Sequence, residues 1–141
     1  MLRYMLDTNI CIYTIKNNPA AVREKFQQHQ HHLCISTIVL NELLYGAEKS
    51  NNPSKSLALI EGLAARLEVL DFDDKAATHA AEIRAELAKK CTPIGYYDVL
   101  IAGHTRSCGL VLVSNNLREF ERVSGLRLEN WGGEGWRCVV G

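Results

Sequence analysis

No stretch of this sequence approaches the ~20 consecutive apolar residues that a membrane-crossing helix needs, and no leader of charged, apolar and small residues opens it. The expected address is therefore the cytoplasm, with no membrane partner. Cysteine pairs of the CxxC type are missing too. The five cysteines (Cys11, Cys34, Cys91, Cys108 and Cys138) are odd in number, which suggests neither a disulfide framework nor structural zinc. Cys11, Cys34 and Cys108 sit among apolar neighbours and read as small buried hydrophobes. An excess of one charge is also lacking. Lys plus Arg number 16 and Asp plus Glu 16, so overall charge points to neither nucleic acid nor membrane. Internal repeats and linkers are absent. The 141 residues, 47% of them apolar, suffice for one domain with a proper core.

What is present is a regular alternation of elements. RYML (3–6), LCIS (33–36), VLDF (69–72) and LVLVS (110–114) read as short buried strands, and LRLEN (126–130) as a last, edge strand. Helical segments lie between them. ICIYTI follows the candidate caps Asp7, Thr8 and Asn9, and AAVREKFQQ follows Asn18 and Pro19. Ser36 and Thr37 open a helix whose apolar face is Val39, Leu40, Leu43, Leu44 and Ala47. Asn52 and Pro53 open another, with stripe Leu57, Ile60, Leu63 and Leu67. Asp73 and Asp74 cap a third, with stripe Ala76, Ala80, Ile83 and Leu87. YYDVLIAGHTRS is a helix broken by Gly109. The expected fold is α/β, a central and mostly parallel sheet of four to five strands with helices on both faces.

Ligands of open α/β sheets sit beyond the carboxyl ends of the strands. Asp7 follows the first strand, Glu42 lies in the first two turns after the second, and Asp98 near the start of the helix introduced by PIGYY. Ser114, Asn115 and Asn116 follow LVLV, with Glu119 just beyond. Acids converging on one edge repel one another, and a hard divalent cation reverses that sign. Thr8, Asn9, Ser114 and Asn116 would then orient the acids or hold water. Such a site activates water against a phosphodiester. Taken alone, Asp7 reads equally as a helix cap, Glu42 as a solvated residue and Asp98 as a partner of its helix dipole. A haloacid-dehalogenase-type phosphatase needs a second Asp where Asn9 stands. A receiver domain needs an acidic pair and a late lysine, and this chain has neither.

MLDTNICIY, CISTIVLNELLYGAEKS, TPIGYYDVLIAGH and LVLVSNNLREFERVSGLRLENW, in this order, resemble a PIN domain of the VapC type, the toxin ribonucleases of bacterial toxin–antitoxin pairs. The resemblance implies an endoribonuclease that uses Mg²⁺, with Mn²⁺ as a substitute, held by Asp7, Glu42 and Asp98. Asn116 stands where PIN domains commonly carry a fourth Asp, and either Asn116 or Glu119 completes the site. Ser114 matches the orienting hydroxyl, and Thr8, Asn9 and Asn115 accompany it. The enteric branch implies initiator tRNA as substrate, cut in its anticodon stem-loop. It also implies a homodimer neutralised by a VapB-type antitoxin in a hetero-oligomer. Relatives usually read G-x-P-I-G-P-Y-D, whereas here Cys91 replaces the first glycine and Tyr96 the proline before Tyr97 and Asp98. The added Tyr96 could stack on a base. The domain is expected over 1–131, with 132–141 a flexible or non-native tail.

The opposing reading is a catalytically idle PIN-like module that binds RNA or protein, supported by Asn116 and the zero net charge. Of the basic residues Arg84, Lys89, Lys90, Arg106, Arg118 and Arg122, only Arg118 and Arg122 are expected at phosphates, because they follow the Ser114–Asn116 loop. His29, His31 and His32 read as a solvated helix end and loop, and His104 as a structural histidine.

Overall fold

A computed structural model of the chain describes residues 1–17, 19–131 and 138–140, the last three as backbone. Strands β1 (Tyr4–Leu6), β2 (Leu33–Ser36), β3 (Glu68–Leu70), β4 (Val111–Val113) and β5 (Arg127–Glu129) are joined by helices α1 (Thr8–Asn17), α2 (Ala20–Gln28), α3 (Thr37–Glu48), α4 (Pro53–Ala64), α5 (Asp74–Lys89) and α6 (Tyr96–Ser107). A 3₁₀ turn, Phe120–Arg122, precedes β5, and β6 is Cys138–Val140. The sheet order is β3-β2-β1-β4-β5-β6. The first five strands run parallel and β6 is antiparallel to β5. Asn18, residues 132–137 and Gly141 lie outside the described residues, and with them most of the expected tail.

Successive strand residues point to opposite faces, and Tyr4, Met5 and Leu6 are all buried. Both faces of β1 are therefore covered, as expected for parallel strands. The Thr105 hydroxyl of α6 contacts Met5 Sδ on one face. Tyr4 packs against His29 and Trp131. The outer β3 has Glu68 and Val69 exposed, which marks a sheet edge. The expectation that β5 is the other edge is corrected, because β6 pairs along it at Arg127–Val140, Leu128–Val139 and Glu129–Cys138.

The helices form where caps and apolar periodicity agree. Ser36 Oγ accepts the Ile38 N–H, Asn52 Oδ1 the Lys55 N–H, and Asp73 Oδ1 the Ala76 N–H. The stripe of α5 is buried as its spacing predicts, at Ala76, Ala80, Ile83 and Leu87. On α3 the buried line is Val39, Leu43 and Ala47, and Leu44, one step round the helix, is exposed. Cys108 is exposed too, because it caps the end of α6 beyond the last buried turn, and Gly109 follows with φ +68°. Cys11 and Cys34 are buried free thiols. His29, at the end of α2 and partly exposed as expected, also makes ring contacts. It is stacked on Trp131 at 5.4 Å and tilted against Tyr4 at 4.6 Å. Helices α5 and α6 pack closely together, with Gly103 against the backbone of Ala80.

Candidate active site

From β1 the sheet grows outward through β2 to β3, and then from β4 outward on the other side. A crevice opens beyond the carboxyl ends of the strands where the order reverses. Asp7 directly follows β1 and Ser114 directly follows β4. The Asp7 N–H donates to the Val113 carbonyl at 3.0 Å, so strand pairing continues into the crevice.

Asp7 is only 1% exposed. Its Oδ1 accepts the Ile10 N–H at 2.8 Å, the bond of a helix cap. The cap expected of Asp7 is present, in a residue that also stands at the crevice. Burial is the largest influence on this carboxyl and pushes its pKa up to about 6, with hydrogen bonds from Ser114 and Ile10 pulling down and the Glu42 charge pushing up. Ser114 is itself buried, and its Oγ accepts the Asn116 N–H at 2.9 Å. The single Ser114 proton has two acceptors within reach, the Asp7 carboxylate and the Asn116 carbonyl at 3.1 Å.

Glu42 arrives from α3, half buried, and its Oε1 accepts the Thr8 hydroxyl at 2.6 Å. The second acid is thus tied to the residue that follows the first. Asp98 stands in the first turn of α6. Burial leads in raising its pKa to about 7, followed by a hydrogen bond with Glu119 and by the charges of Glu119, Asp7 and Glu42. The loop before it is held from outside, since Arg122 Nη1 donates to the Pro93 carbonyl at 3.0 Å. Cys91 has φ +56°, a conformation open to glycine that costs other residues roughly 1–2 kcal/mol. Cys91 thus holds a backbone conformation that glycine adopts without this cost.

Four carboxylates therefore feel one another at this sheet edge. All candidate donors are oxygens, and mutual repulsion of this kind is what a hard divalent cation relieves. Among the described residues no three His, Cys, Asp or Glu side chains are gathered into a finished metal cage. The donor set fits a cation that keeps several of its own waters, as Mg²⁺ does, and does not fit a closed zinc-type site.

Residues 4–126 match the family model described as "PIN domain". Over 131 residues the chain is 60% identical to the tRNA(fMet)-specific endonuclease VapC of Shigella flexneri, covering 93% of this chain and 99% of that one. The chain belongs to the VapC family of PIN domains. Ribonuclease VapC2 of Haemophilus influenzae is 53% identical over the same share of both chains. The crystal structure of DNA-bound VapBC from Salmonella typhimurium superposes with a TM-score of 0.91 at 60% identity, covering 93% of this chain and 99% of its counterpart. VapBC2 of Rickettsia felis follows at 0.89 and 39%, covering 92% and 99%.

In this VapC-family chain the structure sorts the remaining expected residues. Glu119 is half buried against Asp98, whereas exposed Asn116 meets the site through its backbone N–H and carbonyl. Asn9 is exposed and Asn115 half buried. Arg122, exposed, donates one Nη1 bond to the Pro93 carbonyl. Arg118 is exposed, with no hydrogen bond or ion pair among the described residues. Arg106 is engaged by His79, Glu82 and the Ser124 carbonyl, and Lys90 by Glu86. His104 is buried and bonded to Ser36 Oγ at 2.8 Å, a structural histidine as expected. Sequence reading passed over Arg84, whose guanidinium lies 5.4 Å from the centre of the Tyr96 ring. The two residues sit on different helices, and no spacing rule links them.

Proposed function

We propose that this chain is the toxin of a toxin–antitoxin pair, a divalent-metal-dependent endoribonuclease that cuts initiator tRNA in its anticodon stem-loop. The carrying observation is the convergence of Asp7, Glu42, Asp98 and Glu119 from separate elements on one switch-point crevice. The substrate reading is supported by whole-length likeness to relatives named tRNA(fMet)-specific endonuclease, and a tRNA substrate agrees with action in the cytoplasm. PIN-domain ribonucleases depend on divalent metal. We assign Mg²⁺ here, with Mn²⁺ as substitute, to Asp7, Glu42 and Asp98. Glu119, by its place beside Asp98, completes the set in preference to Asn116.

When bound, the cation supplies positive charge opposite the phosphodiester and acidifies the attacking water. The chain supplies rigidity. Asp7 is locked by its cap bond and by Ser114, and Glu42 by Thr8. Asp98 is aimed by a loop that Arg122 holds. Exposed Arg118 is positioned for a phosphate of the RNA. The partner is a VapB-type antitoxin, as in the VapBC complexes this chain resembles. Ile12, Leu44, Tyr45 and Leu59, exposed on the mutually packed α1, α3 and α4, support a protein partner, in a hetero-oligomer built on a toxin homodimer.

The chain, purified free of antitoxin, would be incubated with a panel of tRNAs and with Mg²⁺, Mn²⁺ or chelator. One cut in the anticodon loop of initiator tRNA is expected, and only with metal. Cutting that persists in chelator, or equal cutting of every tRNA, would remove the metal or the substrate from this reading. A finer test is Thr8→Val. Losing the hydroxyl frees Glu42 to rotate, and supporting residues of this kind change metal affinity or activity about 10–100-fold. Thr8→Ser restores the donor and is expected to restore cleavage. Equal activity of the Val and Ser variants would show that Thr8 does not orient Glu42.

A further inference from the structure

Two large aromatic side chains stand in the open at the mouth of the crevice. Tyr96 is 58% exposed and Tyr97 48%. They occupy the first two positions of α6, immediately before Asp98. Their rings meet edge to face, with centroids 6.1 Å apart and planes at 69°, so they cannot both lie flat against one stack of bases. The exposed Arg84 of α5 settles which ring is the platform. Its guanidinium sits over Tyr96, 5.4 Å from the ring centre.

A guanidinium on one face of a ring leaves the other face for a second flat partner. With Arg84 and Tyr97 both beside it, Tyr96 is still 58% exposed, so much of the ring remains open to a further partner. Arginine on an aromatic ring is held by cation–π attraction, strongest where water is partly excluded, and its charge favours an anionic ligand. Tyr96 and Asp98 share one helical turn, whose pitch is about 5.4 Å. Two positions apart, their side chains leave the helix about 200° from one another, so a base on the ring belongs to a nucleotide flanking the one the acids address. Resting on the nuclease reading above, we propose that Tyr96, backed by Arg84, is a stacking platform for one unpaired nucleobase of the bound RNA, in a nucleotide flanking the cleavage site.

The chemistry determines what such a platform selects. Every base has a π face, so stacking on tyrosine is tolerant of sequence. It does require the base to be out of its own helix, because proteins read RNA largely through unstacked loop bases. Tyr96 thus contributes selection for a loop over a stem and leaves the identity of the base to other contacts. Arg84 contributes the planar backing and a share of the salt-dependent attraction to the strand.

The test uses the full chain carrying Asp7→Asn, so that RNA is bound without being consumed. The probe is a fluorescein-labelled hairpin with the anticodon loop of initiator tRNA, together with versions carrying a single abasic residue at each loop position. Tyr96→Ala is expected to raise Kd for the intact hairpin about tenfold. Tyr96→Phe and Tyr96→Trp should stay near the parent. Tyr96→Leu keeps bulk without a π face and should behave as Ala. Arg84→Ala should weaken binding in part and flatten its salt dependence. At one abasic position the difference between Tyr and Ala should vanish, since the base they compete for is gone. Leu binding as well as Phe, or an Ala defect equal across all abasic hairpins, would overturn the platform and leave the nuclease reading intact. Tyr96-dependent binding in a chain that, with Asp7 restored and metal present, cuts no RNA would uphold the platform and sink the nuclease. A wild-type chain that binds no hairpin at all would overturn both.

Discussion

Asp7→Asn is expected to lower the rate of RNA cleavage by at least about 1,000-fold, the factor that ~4 kcal/mol of lost transition-state stabilisation produces. The substitution is narrow in its structural effect. Asparagine caps helices as well as aspartate does, so its side-chain oxygen can still accept the Ile10 N–H that Asp7 Oδ1 now accepts at 2.8 Å. The volume is unchanged and Val113 is paired through the backbone. What disappears is one negative charge at the point where β1 enters the crevice. Turnover at saturating substrate with Mg²⁺ measures the effect, and a loss smaller than tenfold would mean that Asp7 is only a cap.

The same substitution should make the metal-free protein more stable. The Asp7 carboxyl is raised from 3.8 to about 6, chiefly by burial. A carboxyl whose folded pKa lies above its unfolded one gives stability that is complete below the unfolded pKa and lost as pH rises through the folded value. At neutral pH in chelator the wild type therefore carries the full cost of an ionised, buried Asp7. Roughly two pKa units correspond to about 3 kcal/mol. Asparagine has no charge to bury, so its midpoint of thermal unfolding should stand on the order of 10 °C higher at neutral pH. The gap should close as pH falls below the ordinary carboxylate range, where Asp7 is protonated in both states. Adding Mg²⁺ should narrow it from the other side, by stabilising the wild type alone. Fold stability and activity thus pull in opposite directions at one atom pair, as expected of a functional site.

Local pattern made most of the frame legible. Asp73 followed by Ala76, Ala80, Ile83 and Leu87 states a capped helix and its buried face, and both are found. The acids were legible because each follows a separate strand or opens a helix, which parallel topology brings to one edge. Periodicity names the buried face but not its partner. Leu44 has the same composition as its buried neighbour Leu43, yet one step round the helix it meets solvent. His29 belongs to a polar run in sequence, but in space Tyr4 and Trp131 flank it. The pairing of Asp98 with Glu119 joins positions in different elements, and no spacing predicts which of Glu119 or Asn116 turns inward. The edge position expected for β5 failed for the same reason, since its outer partner, β6, comes from beyond the part that resembles the family.

Gly103→Ala is a case in which helix propensity and packing predict opposite signs. Alanine inside a helix is favoured over glycine by roughly 1 kcal/mol, which predicts a more stable α6. A β-carbon on Gly103, however, would stand 2.5 Å from the Ala80 nitrogen, 2.6 Å from its α-carbon and 2.7 Å from its β-carbon. Two of these three atoms are backbone of α5, which cannot rotate aside as a long side chain would, so the helices must separate. Overpacking of this kind costs about 1–3 kcal/mol and sometimes more, which outweighs the gain in propensity. Gly103 lies five residues along α6 from Asp98, so separation of the helices also moves a site acid. A misplacement of about 1 Å can cost 100-fold in rate. The expected result is a fall in the unfolding midpoint together with a loss of cleavage of about that size. Ala80→Gly in the same chain discriminates the cause. It removes the β-carbon contact and leaves the two backbone contacts, so it should rescue little of either defect. Full rescue would show that the side chain of Ala80, and not the backbone of α5, sets how closely the two helices approach.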